Sequence, residues 1–107
     1  MKIYISGAIT KNKNYKQQFA KAQKQLEALG FEVINPAAVS AALPLLPYAA
    51  YMRICSALLM EADAICMLNG WERSCGATAE LAMANALGLK LCTIAKGGVT
   101  LCKQCKQ

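Results

Sequence analysis

The chain has 107 residues, 56% of them hydrophobic, with 12 basic against 6 acidic side chains and a net charge of +6. That composition excludes a disordered chain and fits one domain built around one core. Charges interrupt every apolar run before it could span a bilayer, and the start, MKIYISGAIT, lacks the apolar segment and cleavage site of a secretory leader. A cytoplasmic protein with no membrane partner is the expectation.

Lys2 to Ser6 is β-branched and apolar and predicts a short strand ending at Gly7. Residues 13 to 29 follow a helical period, with Tyr15, Phe19, Ala22, Leu26 and Leu29 on one face and Lys and Gln opposite. Gly30 stops that helix. Phe31 to Ile34 is a second strand, closed by Asn35-Pro36. Residues 37 to 47 carry two Pro among Ala and Leu and predict a loop with at most a helical turn. Tyr48 to Glu61 is a second helix, apolar on most sides. Asp63 to Leu68 is a third strand, apolar throughout as a strand buried on both faces should be. Asn69 to Arg73 is a loop, Ser74 to Leu87 a third helix, and Leu89 to Ala95 a fourth strand. Gly97-Gly98 opens a segment without periodicity.

Strands alternating with helices predict an α/β fold of three layers. The expected form is a small parallel sheet of four or five strands flanked by helices, Rossmann-like or flavodoxin-like. Residues 1 to 95 form the domain and residues 96 to 107 a basic, Cys-containing tail. The apolar second helix predicts a homodimer or higher homo-oligomer.

Three of the six cysteines fall inside apolar runs, where a thiol behaves as a small hydrophobe. Cys102-x-x-Cys105 has metal-ligand spacing, but with no His and no second close pair it does not complete a site, and no metal is expected. Basic residues concentrate at Lys11 to Lys24 and Lys96 to Lys106. Solvated faces account for most of them, and attraction of an anionic ligand is a further use. No basic stripe carries interleaved aromatics, so nucleic acid is not an expected partner.

In open α/β sheets ligands bind beyond the C-terminal strand ends. Gly7-Ala8-Ile9-Thr10, Asn35-Pro36 and Asn69 to Gly76 meet there and make the candidate pocket. Ser74 is a good N-cap, Gly76 lets a ligand approach the backbone, and the free N–H groups of that helix start favour an anion. Glu80 follows under two turns later. It either points into the pocket or an apolar wall, where a carboxylate is desolvated and reactive, or faces solvent or pairs with a Lys. Trp71 either stacks on a ligand base or covers the core or a dimer contact. Cys75 has a helix N-terminus but no His partner. The phosphate-binding signatures of ATPases and dinucleotide-binding proteins are absent.

KIYISGAIT, GFEVINPA and ADAICMLNGWERSCGATAELAMANALGLKL, in that order, resemble the nucleoside 2-deoxyribosyltransferase-like superfamily, and most closely a short branch common in phages and prophages. The resemblance spans residues 1 to 95, and the Gly-Trp-Glu-x-Ser-x-Gly-Ala-x-x-Glu run is its most specific part. It implies cleavage or transfer of N-glycosidic bonds in deoxynucleosides or their monophosphates. By position Glu80 matches the nucleophile, Tyr4 the Tyr that orients it, Ser74 a hydroxyl that binds a 5′-phosphate, and Gly7 and Gly76 the loop glycines. Ala8, Ile9, Thr10, Asn35, Asn69 and Trp71 complete the expected ligand site. No cofactor is implied. In two places the chain departs from the enzymes. Cys55 stands where they carry an Asp on the helix before the third strand, and Thr10 where the nucleotide-hydrolase branch carries an Arg.

Two functions follow. The first is an N-glycosidase or deoxyribosyltransferase-like enzyme acting through Glu80 on a nucleoside or nucleotide. The alternative is a non-catalytic binder, for example a phage protein that sequesters a cyclic ADP-ribose or cyclic nucleotide immune signal. A structural or interaction domain with a vestigial pocket is a third reading.

Overall fold

A computed structural model describes residues 1–9, 11–95 and 98–101. Strand β1 (Lys2–Ser6) leads through a braced turn to helix α1 (Tyr15–Ala28) and strand β2 (Glu32–Ile34). Helices α2 (Pro36–Ala41) and α3 (Tyr48–Met60) precede strand β3 (Ala64–Leu68). A 3-10 turn (Trp71–Arg73) then enters helix α4 (Cys75–Ala86), followed by β4 (Lys90–Ala95) and β5 (Gly98–Leu101). The sheet order is β2-β1-β3-β4-β5. The first four strands are parallel, and β5 pairs antiparallel with β4.

Two features differ from the expectations above. Residues 98–101 form an edge strand rather than the start of a tail, closing onto β4 in the register Ala95 opposite Gly98 to Cys92 opposite Leu101. The segment after β2 holds a real helix. Asn35 caps it, its side chain accepting from the N–H groups of Ala37 and Ala38, and Pro36 supplies the fixed φ that suits a first helical position. The Cys102 and Cys105 pair lies outside the described residues.

Alternation along the strands builds the two halves of the core. Ile3 and Ile5 of β1, with Ala64, Cys66 and Leu68 of β3, face α1, whose Phe19, Ala22 and Leu26 are buried against them. Tyr4, Ile65 and Met67 point the other way, toward Leu59 of α3 and Ala77 and Ala84 of α4. Cys66 and Cys92 are fully buried in the first cluster as small apolar side chains. Leu29, the last residue of the predicted α1 face, falls beyond the helix and is 48% exposed.

β1 lies between β2 and β3, and the chain leaves it toward β2 on one side and later returns to β3 on the other. That reversal of strand order opens a crevice at the C-terminal ends of β1 and β3. At the opposite edge Asp63 accepts from the Lys2 backbone N–H at 2.8 Å, a structural contact far from the crevice. Among the described residues no helix is long and apolar enough to cross a membrane.

Leu26 is fully buried between α1 and the sheet. Leu26→Ala is expected to destabilise the domain by about 2–5 kcal/mol, read from the shift in urea midpoint.

Candidate active site

The crevice is a cavity of about 600 Å³, a size that suits a nucleotide-sized small molecule. Its floor is Tyr4 and Glu80. Gly7, Ile9 and Lys11 form the wall after β1, while Pro36 and Ser40 of α2 stand after β2. Tyr48, Tyr51, Met52 and Cys55 of α3 make a third wall, facing the segment Arg73 to Gly76 at the start of α4.

Glu80 reaches the floor because of its place on α4. Ala77, Glu80 and Ala84 are the buried residues of that helix, at spacings of three and four, so they form the stripe that lies on the sheet. Two of the three are Ala, which lets the helix sit close to β1. Glu80 is 7% exposed. It is not a solvent-facing charge, and among the described residues no Lys pairs with it.

Its partners come from β1. Residues two apart on a strand share a face, so Tyr4 and Ser6 both look toward α4. The Tyr4 hydroxyl donates to Glu80 Oε2, and the Ser6 hydroxyl donates to Oε1 at 2.7 Å. Burial pushes the Glu80 carboxyl above its ordinary value, and the two hydroxyl donors pull it partly back. Burial, with the adjacent carboxylate, drives the Tyr4 phenol far up, so it stays a neutral donor. The half-buried Cys55 thiol stands beside Tyr4. Burial raises it most and the charge of Glu80 raises it further, while the Tyr4 contact lowers it.

Ser74 caps α4 with extended backbone, its Oγ accepting from the Ala77 N–H at 3.1 Å. Its own hydroxyl proton remains available to a ligand. A Cβ at Gly76 would lie 3.2 Å from the Tyr48 hydroxyl, and one at Gly7 would lie 3.0 Å from the Leu68 Cβ. Both glycines therefore keep the cavity walls close together.

The remaining expected ligand residues divide. Ile9 lines the cavity and is 38% exposed. The Ala8 carbonyl is taken by the Asn12 side chain at 2.9 Å. Asn35 caps α2 and donates to Gln23. The Asn69 carbonyl accepts from Gln18, and the residue borders a separate groove on the α1 side. Trp71 packs on the second core cluster, with Ala77 and Ala84, and not on the cavity. The cavity's aromatic wall is instead Tyr48 and Tyr51. Thr10 lies outside the described residues. Ser6, Lys11, Arg73 and Tyr48 are the site residues that sequence reasoning passed over. For Ser6 a signal existed, since it stands two positions from Tyr4 on the same strand.

A five-stranded sheet in this order, with a carboxylate at the floor of its switch-point cavity, places the protein among those with the deoxyribosyltransferase fold. The solved 2-deoxyribosyltransferase of Bacillus psychrosaccharolyticus superposes with a TM-score of 0.67 at 20% identity, covering 87% of this chain and 71% of that one. The CMP N-glycosidase of Clostridium botulinum gives 0.62 at 20% identity, covering 87% and 67%. At the level of sequence, the chain belongs to the family described as Domain of unknown function (DUF4406), whose model matches residues 1–93. No curated protein matches the sequence.

The raised Glu80 carboxyl sets a pH dependence. A carboxyl raised on folding favours the fold while protonated, below its unfolded value, and loses that contribution as pH climbs through the raised value. Wild type is therefore expected to lose stability relative to Glu80→Gln as pH rises from about 4 toward neutrality, measured by urea titration at each pH. A stability difference independent of pH would contradict a buried, titrating Glu80.

Proposed function

We propose that the protein cleaves or transfers the N-glycosidic bond of a nucleoside or nucleotide, with Glu80 as nucleophile. The observation that carries this reading is the Glu80 carboxylate, buried at the floor of an open cavity and held at both oxygens by Tyr4 and Ser6. A carboxylate with no ion-pair partner among the described residues, fixed in one orientation beside space for a ligand, is costly for stability and useful for attack. The enzymes that share the fold, a 2-deoxyribosyltransferase and a CMP N-glycosidase, act on ligands of this class.

In this mechanism one Glu80 oxygen attacks the anomeric carbon as its bond to the base nitrogen breaks, through an oxocarbenium-like transition state. The bonding pair leaves with the base, which takes a proton. The resulting ester between Glu80 and the sugar is released by water or by a second base. Tyr4 and Ser6 orient the carboxylate and, by donating to it, keep part of the population ionised despite burial. Ile9, Gly7 and the α4 start with Ser74 and Gly76 would hold the sugar side of the ligand.

Cys55 favours a second reading. Its thiol stands where the resemblance places an Asp, and with its ionisation raised it is a poor acid for a departing base. A pocket that retains its ligand without turnover, such as one sequestering a cyclic nucleotide signal, fits that substitution. In either reading a homo-oligomer is part of the proposal. Leu59 is the one buried residue of α3, which leaves Tyr48 and Met60 of the same apolar helix 59% and 62% exposed.

Glu80→Ala is expected to lower base release by about a thousandfold or more while leaving ligand affinity within a few-fold, read by chromatography of free base and by calorimetry. The assay uses a panel of deoxynucleosides, deoxynucleoside monophosphates and cyclic ADP-ribose-type nucleotides. Base release that is untouched by the substitution sinks the nucleophile. Intact ligand recovered from denatured wild-type protein establishes the binder instead.

A further inference from the structure

The mechanism above asks for a proton at the departing base, and the cavity is poor in acids that could give one. The chain has six carboxylic side chains and no His. Glu27 is near the end of α1, Glu32 opens β2, and Glu61 and Asp63 precede β3. All four are exposed, at the edge of the sheet opposite the cavity. Glu72 lies in the 3-10 turn beside Arg73, exposed and outside the cavity lining. That leaves Glu80, which is the attacking group and cannot also be the acid in the same step.

The remaining protons near the floor are committed or tightly held. Tyr4 gives its hydroxyl proton to Glu80, and Ser6 does the same from two residues along β1. The Tyr51 hydroxyl donates to the Pro44 carbonyl. The Cys55 thiol stands beside Tyr4, and burial raises it above its ordinary value. Among the described residues, the rest of the lining offers hydroxyl, phenol, thiol, ammonium and guanidinium groups, types that ordinarily ionise well above neutrality.

The charge at the floor is equally one-sided. Both Glu80 oxygens rest on neutral hydroxyls, with no ion-pair partner among the described residues. A positive charge on the glycosidic nitrogen would stand one bond from the carbon that Glu80 attacks, and would supply the counter-charge that the floor lacks. Lys11 and Arg73 line other walls of the cavity and oppose the entry of a cation, so the selection falls on the bond that breaks and not on capture.

We infer that the substrate's base already carries its positive charge at the glycosidic linkage, as in an N-glycosyl pyridinium or an N-alkylated purine nucleoside, so that it departs neutral without a proton. This deepens the proposed glycosidic function and rests on it. One Glu80 oxygen bonds to the anomeric carbon, the carbon–nitrogen bond breaks, and its electron pair neutralises the ring. A neutral base and a neutral glycosyl ester result, and no proton has moved. Water then attacks the same carbon, Glu80 leaves as carboxylate, and the surplus proton passes to solvent. A neutral pyridine-type base can take the place of water. It attacks with its own lone pair, again without proton transfer, and re-forms a cationic glycoside.

The test compares 7-methylguanosine with guanosine below neutrality, in ribo and 2′-deoxy forms. The two bases differ by one methyl group and one charge. Base release is followed by chromatography, with Glu80→Gln as the blank. Wild type is expected to favour the cation by about a hundredfold or more in kcat/KM, the range that a general acid otherwise supplies. That ratio should be no smaller than the ratio of the spontaneous rates, because an acid from the protein would help guanosine alone. With nicotinamide riboside, whose charge is fixed, kcat/KM should rise with pH as Glu80 ionises and then stay level. A falling limb at higher pH would report an essential acid and overturn the inference. Cys55→Asp places a carboxyl beside Glu80, where the like charge raises it into the range of an acid at neutrality. It is expected to speed guanosine release and compress the ratio by about tenfold or more. Guanosine release unaltered in a folded Cys55→Asp protein would remove the acid deficit as the cause. Guanosine and 7-methylguanosine released at equal rates by wild type would overturn the cation preference and leave the glycosidic function standing. No base released from any of these nucleosides or from the deoxynucleoside panel would sink both.

Discussion

The burial of one carboxylate against one strand organises this molecule. A charged group taken out of water costs several kcal/mol unless its lone pairs find donors. Here the donors are hydroxyls from β1, while the carboxylate comes from α4. The pairing joins β1 to the helix that follows β3, two elements more than 70 residues apart in sequence. It requires α4 to approach closely, hence its Ala stripe, and it requires an apolar surround that still leaves an opening above. Replacing the triad by hydrocarbon would make a better core and remove the only reactive group on the floor. Stability and chemistry therefore pull on Glu80 in opposite directions.

The same logic assigns the neighbouring loops their shapes. A Cβ at Gly7 or Gly76 would press on Leu68 on one side or on the Tyr48 hydroxyl on the other, so each wall would have to give way to admit one. Tyr51 accepts from the Leu46 N–H and donates to the Pro44 carbonyl, which fixes the loop before α3 and keeps Leu46 at the cavity. The walls are thus formed before a ligand arrives, and binding need not spend free energy ordering them.

Much of this was legible in the sequence, and the failures have physical causes. The period of α1 and the apolar run of β3 read directly as a face and a doubly buried strand. Ser74 read as a cap because its side chain acts on its own backbone, a local event. α2 was obscured by the Pro residues around it, although Asn35-Pro36 is a good helix start. β5 was invisible because four residues gain their strand character from β4, a pairing no local pattern encodes. Glu80 could be placed on its helix, yet whether it faced inward depended on the flanking Ala residues meeting the sheet. Trp71 and Asn69 show the limit for loops. Both sit next to the site in sequence, and the turn at Gly70 directs one to the core and the other to the far groove. Lys11 was hidden in a run of basic residues whose other members belong to a solvated helix face.

The alternation of β1 has a consequence for how this chain tolerates insertions and deletions. Ile3 and Ile5 feed one side of the sheet, Tyr4 and Ser6 the other. Losing or gaining a single residue between Lys2 and Ser6 would exchange the two sets. Two hydroxyls would enter the packing against α1, and two isoleucines would meet a carboxylate with no donor left. Such a frameshift within the strand leaves composition, hydrophobicity and predicted secondary structure nearly untouched. Length in this five-residue stretch is consequently under tighter physical constraint than the identity of most residues around it.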